Sequence, residues 1–370
     1  MSVILKQEES PLFSRVRRLA KSARILAGDE IPGPALNAFY EQMYPSRSDF
    51  LKRHWRWLYR TDSPAQAKSP IVVMDEGQVI GHIGVIPLTL RRNSDEREAT
   101  WACDIAVLPK HRGKAWGALL LTEVMVSRPL CIGFPNDLSR KLTVKLGWKD
   151  QFHTAGLSLF LRPDRHPKVR ELSTNKRGVN AMAVLAGLGA RTVLRARTLS
   201  RKRLSASPVA ADYLPAFSER GTVASLHTTR TAEFLRWRVL AHPRIEEHFV
   251  LNCPNGGSER YSALARVVEE EGCRRLHLLT LRAGRFNPRG LSDFFAGVIR
   301  WALDQDIHVI SLVTSEPAVA RAARWWLPVL SRLCYSYHAN NPSGEEFLSG
   351  PGQLWEYIDG DFDLAYMPQS

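Results

Sequence analysis

The stretch from Val107 to Ala118 joins the end of a strand, a turn of small and basic residues, and an apolar helix. Residues 99–107 are rich in β-formers and are followed by Pro109, whereas residues 116–126 are almost all apolar, as in a buried helix. The first turn of a helix presents unpaired N–H groups and the positive end of the helix dipole. This segment therefore predicts a site for an anionic group such as a phosphate.

The turn between that strand and that helix resembles the acetyl-CoA pyrophosphate loop of the GNAT superfamily of N-acetyltransferases. The superfamily pattern is Arg/Gln-x-x-Gly-x-Gly/Ala. The residues that stand in this pattern, with the next helical residue, are Arg112, Gly113, Lys114, Ala115, Trp116, Gly117 and Ala118. The resemblance implies that they bind acetyl-CoA. Ala115 replaces the first glycine of the pattern, and its extra methyl group is expected to weaken or rearrange binding without abolishing it.

A second resemblance covers residues 136–148, which follow the superfamily's late helix, Asn-x-x-Ala-x-x-Leu-Tyr-x-Lys-x-Gly-Phe. Asn136 stands at the N-cap position, and Gly147 is predicted to end the helix, with Trp148 packing back. The resemblance assigns Asn136 and Thr143 to the cofactor site. Thr143 replaces a tyrosine that protonates the departing thiolate, and a threonine hydroxyl titrates too high for that role. The general acid is therefore unassigned, with solvent as one source of the proton.

Acetyl transfer also requires a polarised thioester carbonyl and a deprotonated amine. The resemblance gives the first task to a main-chain N–H group between Ile105 and Val107. For the second, two titratable residues lie in the predicted strands, His82 and Asp104. His82 is a candidate base with Asp104 as its partner. The alternatives are a hydrogen-bonded structural histidine and a carboxylate that anchors a turn or binds the acceptor.

The order of predicted elements indicates an α/β protein with a mixed α+β sheet, built as two tandem GNAT-like acyltransferase domains. The predicted divisions are a basic segment at 1–33, an acetyl-CoA-binding domain at 34–163, a basic linker with a helix at 164–230, and a degenerate second domain at 231–370. Residues 284–290 stand where the second copy would have its loop. They lack the glycine spacing and carry a proline, so we expect that copy not to hold CoA.

Charge and cysteine usage narrow the remaining possibilities. The five cysteines show no metal-ligand spacing, which favours reduced thiols, a cytoplasmic protein and no metal site. Of the net charge of +14, much lies in residues 162–203, where twelve Lys or Arg face two acidic residues. This segment is either a solvated linker or a surface for an anionic glycan or membrane. It lacks aromatic residues for base stacking, which disfavours nucleic acid.

The sequence thus predicts an acyl-CoA-dependent N-acyltransferase that transfers an acetyl group to an amine of a small molecule. An amino sugar is suggested only by analogy with bacterial proteins linked to cell-surface polysaccharide. One alternative is a non-catalytic GNAT-like protein that acts on an anionic glycan or lipid surface. Another is a transferase that uses an aminoacyl-tRNA donor.

Overall fold

A computed structural model describes residues 11–61, 69–175, 178–201, 203–218, 225–253, 261–283, 286–350 and 352–360. It is a mixed α/β fold around one extended sheet. The helices are α1 Pro11–Ser22, α2 Gly33–Met43, α3 Ser48–Leu58, α4 Trp116–Ser127, α5 Asp137–Lys145, α6 Pro167–Asn175, α7 Val179–Thr198, α8 Pro215–Ser218, α9 Ala232–Leu235, α10 Pro288–Asp304, α11 Pro317–Arg324 and α12 Pro342–Ser349. The strands are β1 Arg24–Ala27, β2 Ile71–Asp75, β3 Gln78–Arg92, β4 Asp95–Val107, β5 Leu130–Gly133, β6 Lys149–Phe160, β7 Ser205–Pro208, β8 Leu226–Thr228, β9 His248–Cys253, β10 Tyr261–Glu270, β11 Cys273–Arg282, β12 Val309–Thr314, β13 Val329–Ala339 and β14 Gln353–Leu354.

The sheet runs in the order β1-β2-β3-β4-β5-β13-β6-β12-β11-β10-β9-β7, with β8 and β14 attached beside β3. Its two halves mirror each other. The pair β4–β5 is parallel, and so is its counterpart β11–β12. At the centre, β13 lies between β5 and β6, and β6 lies between β13 and β12. Each half of the sequence therefore gives one strand, β6 or β13, to the sheet of the other half.

This exchange involves a strand of the predicted first domain, 34–163. That strand, β6, pairs only with β12 and β13 of the second half within the described residues. The alternation of side chains along a strand indicates which face is buried and does not specify the neighbouring strand. The first and second halves thus share strands at the centre of one sheet.

The described parts of the predicted linker at 164–230 include elements that pack onto the rest of the structure. The long helix α7 packs against α10 and buries Leu194. The strand β7 pairs with β9 and forms one edge of the sheet. The predicted helix is present as α7, and one of its faces, with Leu194, is covered by the partner helix α10.

Contacts between the halves repeat the same symmetry. The indole N–H of Trp57, at the end of α3, donates to the carbonyl of Trp237 at 3.0 Å, and the indole of Trp237 donates to the carbonyl of Trp57 at 2.7 Å. Residues 53–59 and 234–241 each contain the dipeptide Arg-Trp, and the tryptophans of these two dipeptides, Trp57 and Trp237, are the ones that meet.

The end of the described chain is held by a buried ion-pair network. The guanidinium of Arg230, which is fully buried, donates to Asp359 and to Glu356 at 2.8 Å each. Burial is the largest cause that raises the pKa of Asp359, to about 6. The network brings Gly360 against the ring of Trp101 in β4, where a Cβ atom would lie 2.2 Å from the ring. The C-terminal segment therefore packs onto the first half of the sheet.

The state of the cysteines and the character of the helices follow from the fold. All five cysteines lie in described residues, where they are buried and free of disulfides. None of the described helices combines the length and the apolar character that a bilayer span requires.

Candidate functional site

The predicted anion-binding loop lies at the end of β4. After Val107 the chain forms a short 3-10 turn at Pro109–His111, and α4 begins at Trp116. Gly113 has a φ of +79° and open space where a Cβ would stand. Within the described chain no side chain caps the N-terminus of α4. The backbone N–H groups of the first turn are thus presented without a competing side-chain acceptor.

Ala115 occupies the N-cap position of α4 with a φ of +67°, in the left-handed region. An L-residue pays about 1–2 kcal/mol for this conformation, whereas glycine adopts it freely. The left-handed conformation explains why the superfamily pattern has a glycine at this position. Ala115 is therefore expected to affect binding through backbone strain as well as through its added methyl group.

Gly117 serves a different purpose. A Cβ atom at this position would lie 3.2 Å from Cδ2 of Leu142 in α5 and 3.8 Å from Val107 in β4. The missing side chain lets the first turn of α4 approach both elements. Gly117 is therefore a packing glycine, whereas Ala115 and Gly113 shape the turn itself.

Cations and one indole group surround the loop. Arg112 donates from Nε to the carbonyl of Val107 at 3.2 Å, and Lys114 is exposed. Arg15 of α1 reaches the carbonyl of Gly113 at 3.5 Å. Among the described residues, the buried indole N–H of Trp116 has no hydrogen-bond partner. Positive charge, open N–H groups and an unpaired donor together fit a diphosphate group of the kind found in CoA.

A β-bulge lies immediately before the loop. Between the pairs His82–Ala106 and Gly84–Cys103, β4 carries one residue more than β3, and Asp104 takes a φ of +49°. Bulges re-aim backbone and side chains and are common beside active sites. Within the described residues β4 pairs with β5 only at positions 100 and 101. The bulged end of β4 therefore has no strand paired to it on the side of β5.

Asp104 is the centre of a buried polar cluster. Its carboxylate accepts from Arg47 at 2.6 Å and from the hydroxyl of Tyr59 at 2.9 Å. Its backbone carbonyl accepts from the hydroxyl of Tyr44 at 2.8 Å. The side chains of Arg47 and Asp104 are only 9% and 7% exposed. Either charge would be costly to bury alone, so Arg47 and Asp104 can both lie at this depth only because they are in direct contact.

The structure brings His82 and Asp104 together, but not as a carboxylate–imidazole pair. Nδ1 of His82 lies 2.9 Å from the backbone carbonyl of Asp104, and Nε2 lies 3.3 Å from the hydroxyl of Tyr40. The ring has no exposed surface, and burial lowers the pKa of His82 to about 4. The imidazole is neutral at pH 7 and both its nitrogens are engaged. This geometry favours the structural alternative for His82 over a general base.

The depressed pKa gives His82 a defined effect on stability. Between pH 6.5 and pH 4 the unfolded chain binds a proton that the folded chain does not, so the stability from this residue is present above pH 6.5 and is lost toward pH 4. Between pH 7 and pH 5 we expect the wild type to lose about 2 kcal/mol of unfolding free energy through His82. Urea unfolding at both pH values, compared with His82→Gln, measures this part. Equal losses in the two proteins would contradict it.

The late helix α5 has the predicted local structure. The side chain of Asn136 accepts from the backbone N–H groups of Leu138 and Ser139, at 3.1 and 2.9 Å. Gly147 has a φ of +87°, and the N–H of Trp148 returns to the carbonyl of Thr143 at 3.1 Å, as in a Schellman motif. These observations confirm the predicted cap and helix end. They give Asn136 a capping role, and no described contact joins it to the loop.

Thr143 is buried, and its hydroxyl donates to the carbonyl of Arg140, one turn earlier, at 3.0 Å. A hydroxyl hydrogen used in this way is committed within its own helix. The general acid therefore stays unassigned among the described residues.

The second half has the matching bulge without the matching loop. Between the pairs Leu264–Thr280 and Ala265–Leu278, β11 carries one extra residue, Leu279. The following helix, α10, is capped by Asn287, whose side chain accepts from the N–H of Gly290 at 2.7 Å. Pro288 occupies its first turn, and a Cβ at Gly290 would overlap the ring of Tyr261. Gly284 and Arg285 lie outside the described residues. The N-terminus of α10 is thus closed where that of α4 is open.

Sequence reasoning missed Arg47. Arg47 lies in the short connection between α2 and α3, and the sequence analysis gave it no role. Charged side chains are rarely buried unless paired, so nothing local marks Arg47 as an interior residue. The only signal in the sequence was that an aspartate within a strand, Asp104, needs a partner, and the sequence analysis assigned His82 as that partner.

Comparison with known proteins agrees with this architecture. The Acetyltransferase (GNAT) family model matches residues 35–127, which include most of α2 and all of α3, the bulge, the loop and α4. No curated protein matches the chain. The described residues contain no group of three or more His, Cys, Asp or Glu that could hold a metal ion.

Solved structures extend the similarity over most of the chain. A GCN5-related N-acetyltransferase from Anabaena variabilis is 10% identical, covers 87% of this chain and 74% of its own, and has a TM-score of 0.54. A protein from Enterococcus faecalis described as a probable N-acyltransferase is 9% identical, with coverage of 86% and 72% and a TM-score of 0.52. The N-myristoyltransferase of Saccharomyces cerevisiae with bound myristoyl-CoA is 12% identical, with coverage of 87% and 82% and a TM-score of 0.55. At these identities the similarity establishes the fold alone, which is GNAT-like.

Proposed function

We propose that this protein is an acyl-CoA-dependent N-acyltransferase whose donor site lies in the first half of the chain. The observation that carries the proposal is the open N-terminus of α4 next to the bulge of β4. The turn at Gly113 and Ala115 presents its N–H groups to an anion, and no described side chain caps it. The match of residues 35–127 to the acetyltransferase family supports the same assignment.

In this proposal each part of the chain has a separate task. The N–H groups from Gly113 to Ala118 hold the diphosphate, with Arg112 and Lys114 supplying positive charge. Acyl-CoA supplies the thioester. The main-chain N–H groups from Ile105 to Val107, beside the bulge, polarise its carbonyl, because fixed donors stabilise charge that develops on oxygen.

The residues first considered for proton transfer receive a positioning role. His82 and Tyr44 hold the backbone carbonyl of Asp104, while Arg47 and Tyr59 hold its carboxylate. Together they fix the left-handed conformation of Asp104 and therefore the direction of the next backbone N–H. The proposal assigns no side chain as the general base.

We further propose that the two halves are tandem copies of one fold and that the second copy does not hold CoA. The mirrored strand order, the matching bulges at positions 104–105 and 279, and the closed N-terminus of α10 support this view. The acceptor is an amine of a small molecule or amino sugar. Acetyl-CoA is the donor proposed from the loop, and the similarity to a myristoyl-CoA-bound structure makes longer acyl chains worth testing.

Isothermal titration of the purified protein with acetyl-, octanoyl- and myristoyl-CoA tests the donor site, with desulfo-CoA and ATP as controls for the thiol and for the adenine phosphates. We expect one site per chain and binding in the micromolar range for at least one acyl-CoA. A panel of amines is then screened for release of free CoA thiol. Binding without turnover would support the non-catalytic alternative, and failure of every acyl-CoA to bind would overturn the proposal.

A further inference from the structure

The long helix α7 presents an apolar face to the outside of the molecule. Met182 is 73% exposed, Leu185 68%, Leu188 56% and Val193 57%. Met182, Leu185 and Leu188 recur every three residues, and at about 100° per residue all four side chains lie on the side of α7 opposite the buried Leu194 and Thr198, where they form one apolar stripe. Soluble surfaces carry scattered apolar side chains, but a contiguous stripe over several helical turns indicates an interaction surface.

The orientation of this stripe is fixed by the opposite face. Leu194 and Thr198 are buried where α7 packs on α10. At Gly187 a Cβ atom would lie 3.0 Å from the ring of Pro163 and 3.2 Å from the carbonyl of Leu161, so the helix is in close contact with the preceding segment. If α7 were rotated to bury its outer stripe, these packing contacts would be lost. The packing of the inner face therefore keeps the stripe exposed.

The charged side chains of α7 are all positive. The helix contains Arg191, Arg195 and Arg197 and no acidic residue. Arg191 is paired with Asp306 at 3.3 Å, whereas Arg195 is exposed on the outer side next to the stripe. Arg197 stacks over Trp326, 4.7 Å from the ring, and lies near Trp325, which is 73% exposed. Apolar, aromatic and cationic side chains thus share one surface.

We propose that α7 binds the surface of an anionic lipid bilayer, with the stripe at the boundary between headgroups and acyl chains. Interfacial helices combine an apolar face with flanking Lys and Arg, and tryptophan favours the same depth. A second copy of this chain fits less well, because pairing two stripes across a twofold axis would bring equal positive charges together in a protein of net charge +14. An anionic glycan would satisfy the arginines and leave the stripe in water.

Sedimentation with phosphatidylcholine vesicles, with and without phosphatidylglycerol, tests this surface. We expect the wild type to bind the anionic vesicles and to release them at high salt. The double variant Leu185→Gln with Leu188→Gln removes apolar contact and is expected to bind at least about tenfold more weakly. Arg195→Gln is expected to lose about fivefold, the value of one arginine near an anionic surface.

Val126→Gln is the matched control, since Val126 is 78% exposed on α4 and is not part of α7, and its replacement is expected to leave vesicle binding unchanged. Thermal melting of each variant checks that the fold is intact. Two results would overturn the proposal: equal vesicle binding by the wild type and the double variant, or a dimer in solution that the double variant abolishes while no vesicles are bound. Because acyl-CoA titration is measured separately, failure here leaves the proposed donor site unaffected.

Discussion

Replacing Ala115 by aspartate is expected to abolish acyl-CoA binding. The new carboxylate would stand at the N-cap of α4, among the N–H groups proposed to receive the diphosphate. Two like charges about 4 Å apart repel by about 4 kcal/mol at the effective dielectric of a protein surface. That corresponds to close to a thousandfold increase in Kd. Titration with the acyl-CoA that binds the wild type most tightly measures the change.

Two matched variants separate charge from backbone effects. Ala115→Asn has nearly the size of aspartate without its charge, and both residues tolerate the φ of +67° better than alanine does. We expect it to lose less than about tenfold. Ala115→Gly removes the backbone strain, so it should bind at least as tightly as the wild type and unfold at a higher temperature. If the aspartate variant bound like the asparagine variant, the diphosphate would not lie at this helix end.

This test depends on a distinction that the sequence alone does not make. The pattern from Arg112 to Gly117 predicts the loop, the strand before it and the helix after it, and the structure has all three. It does not say which glycine position needs a left-handed φ and which needs space. Gly117 faces Leu142, so an aspartate there would disturb packing and charge at once. At Ala115 the two effects can be separated.

The limits of the sequence analysis follow from how far apart the interacting residues are. Asn136 and Gly147 act within their own helix, so their roles as cap and helix end were predictable from local pattern. The exchange of β6 and β13 joins residues almost two hundred positions apart, and no strand pattern specifies its partner. The pairing of Arg47 with Asp104 is of the same kind. Local chemistry predicted the elements, and only the fold determines which of them meet.

Removing the charge of Arg47 is expected to have the largest effect on stability. In Arg47→Met the carboxylate of Asp104 would remain buried beside Tyr44 and Tyr59 without its cation. Breaking a buried ion pair from one side costs about 3–5 kcal/mol. Urea unfolding at pH 7 should show a loss of this size. A loss below about 1 kcal/mol would mean that the pair is solvated, as surface pairs are.

A second substitution restores the balance of charge and separates positioning from catalysis. Asp104→Asn tolerates a positive φ and can still accept from the hydroxyl of Tyr59. The double variant with Arg47→Met leaves no buried charge at this site, so most of the lost stability should return. If Asp104 only positions the bulge, turnover by the double variant should stay within about tenfold of the wild type, whereas loss of a general base costs about 10²–10⁴-fold. A stable double variant with turnover reduced to that extent would show that the carboxylate takes part in proton transfer, and it would replace the positioning role proposed for Asp104.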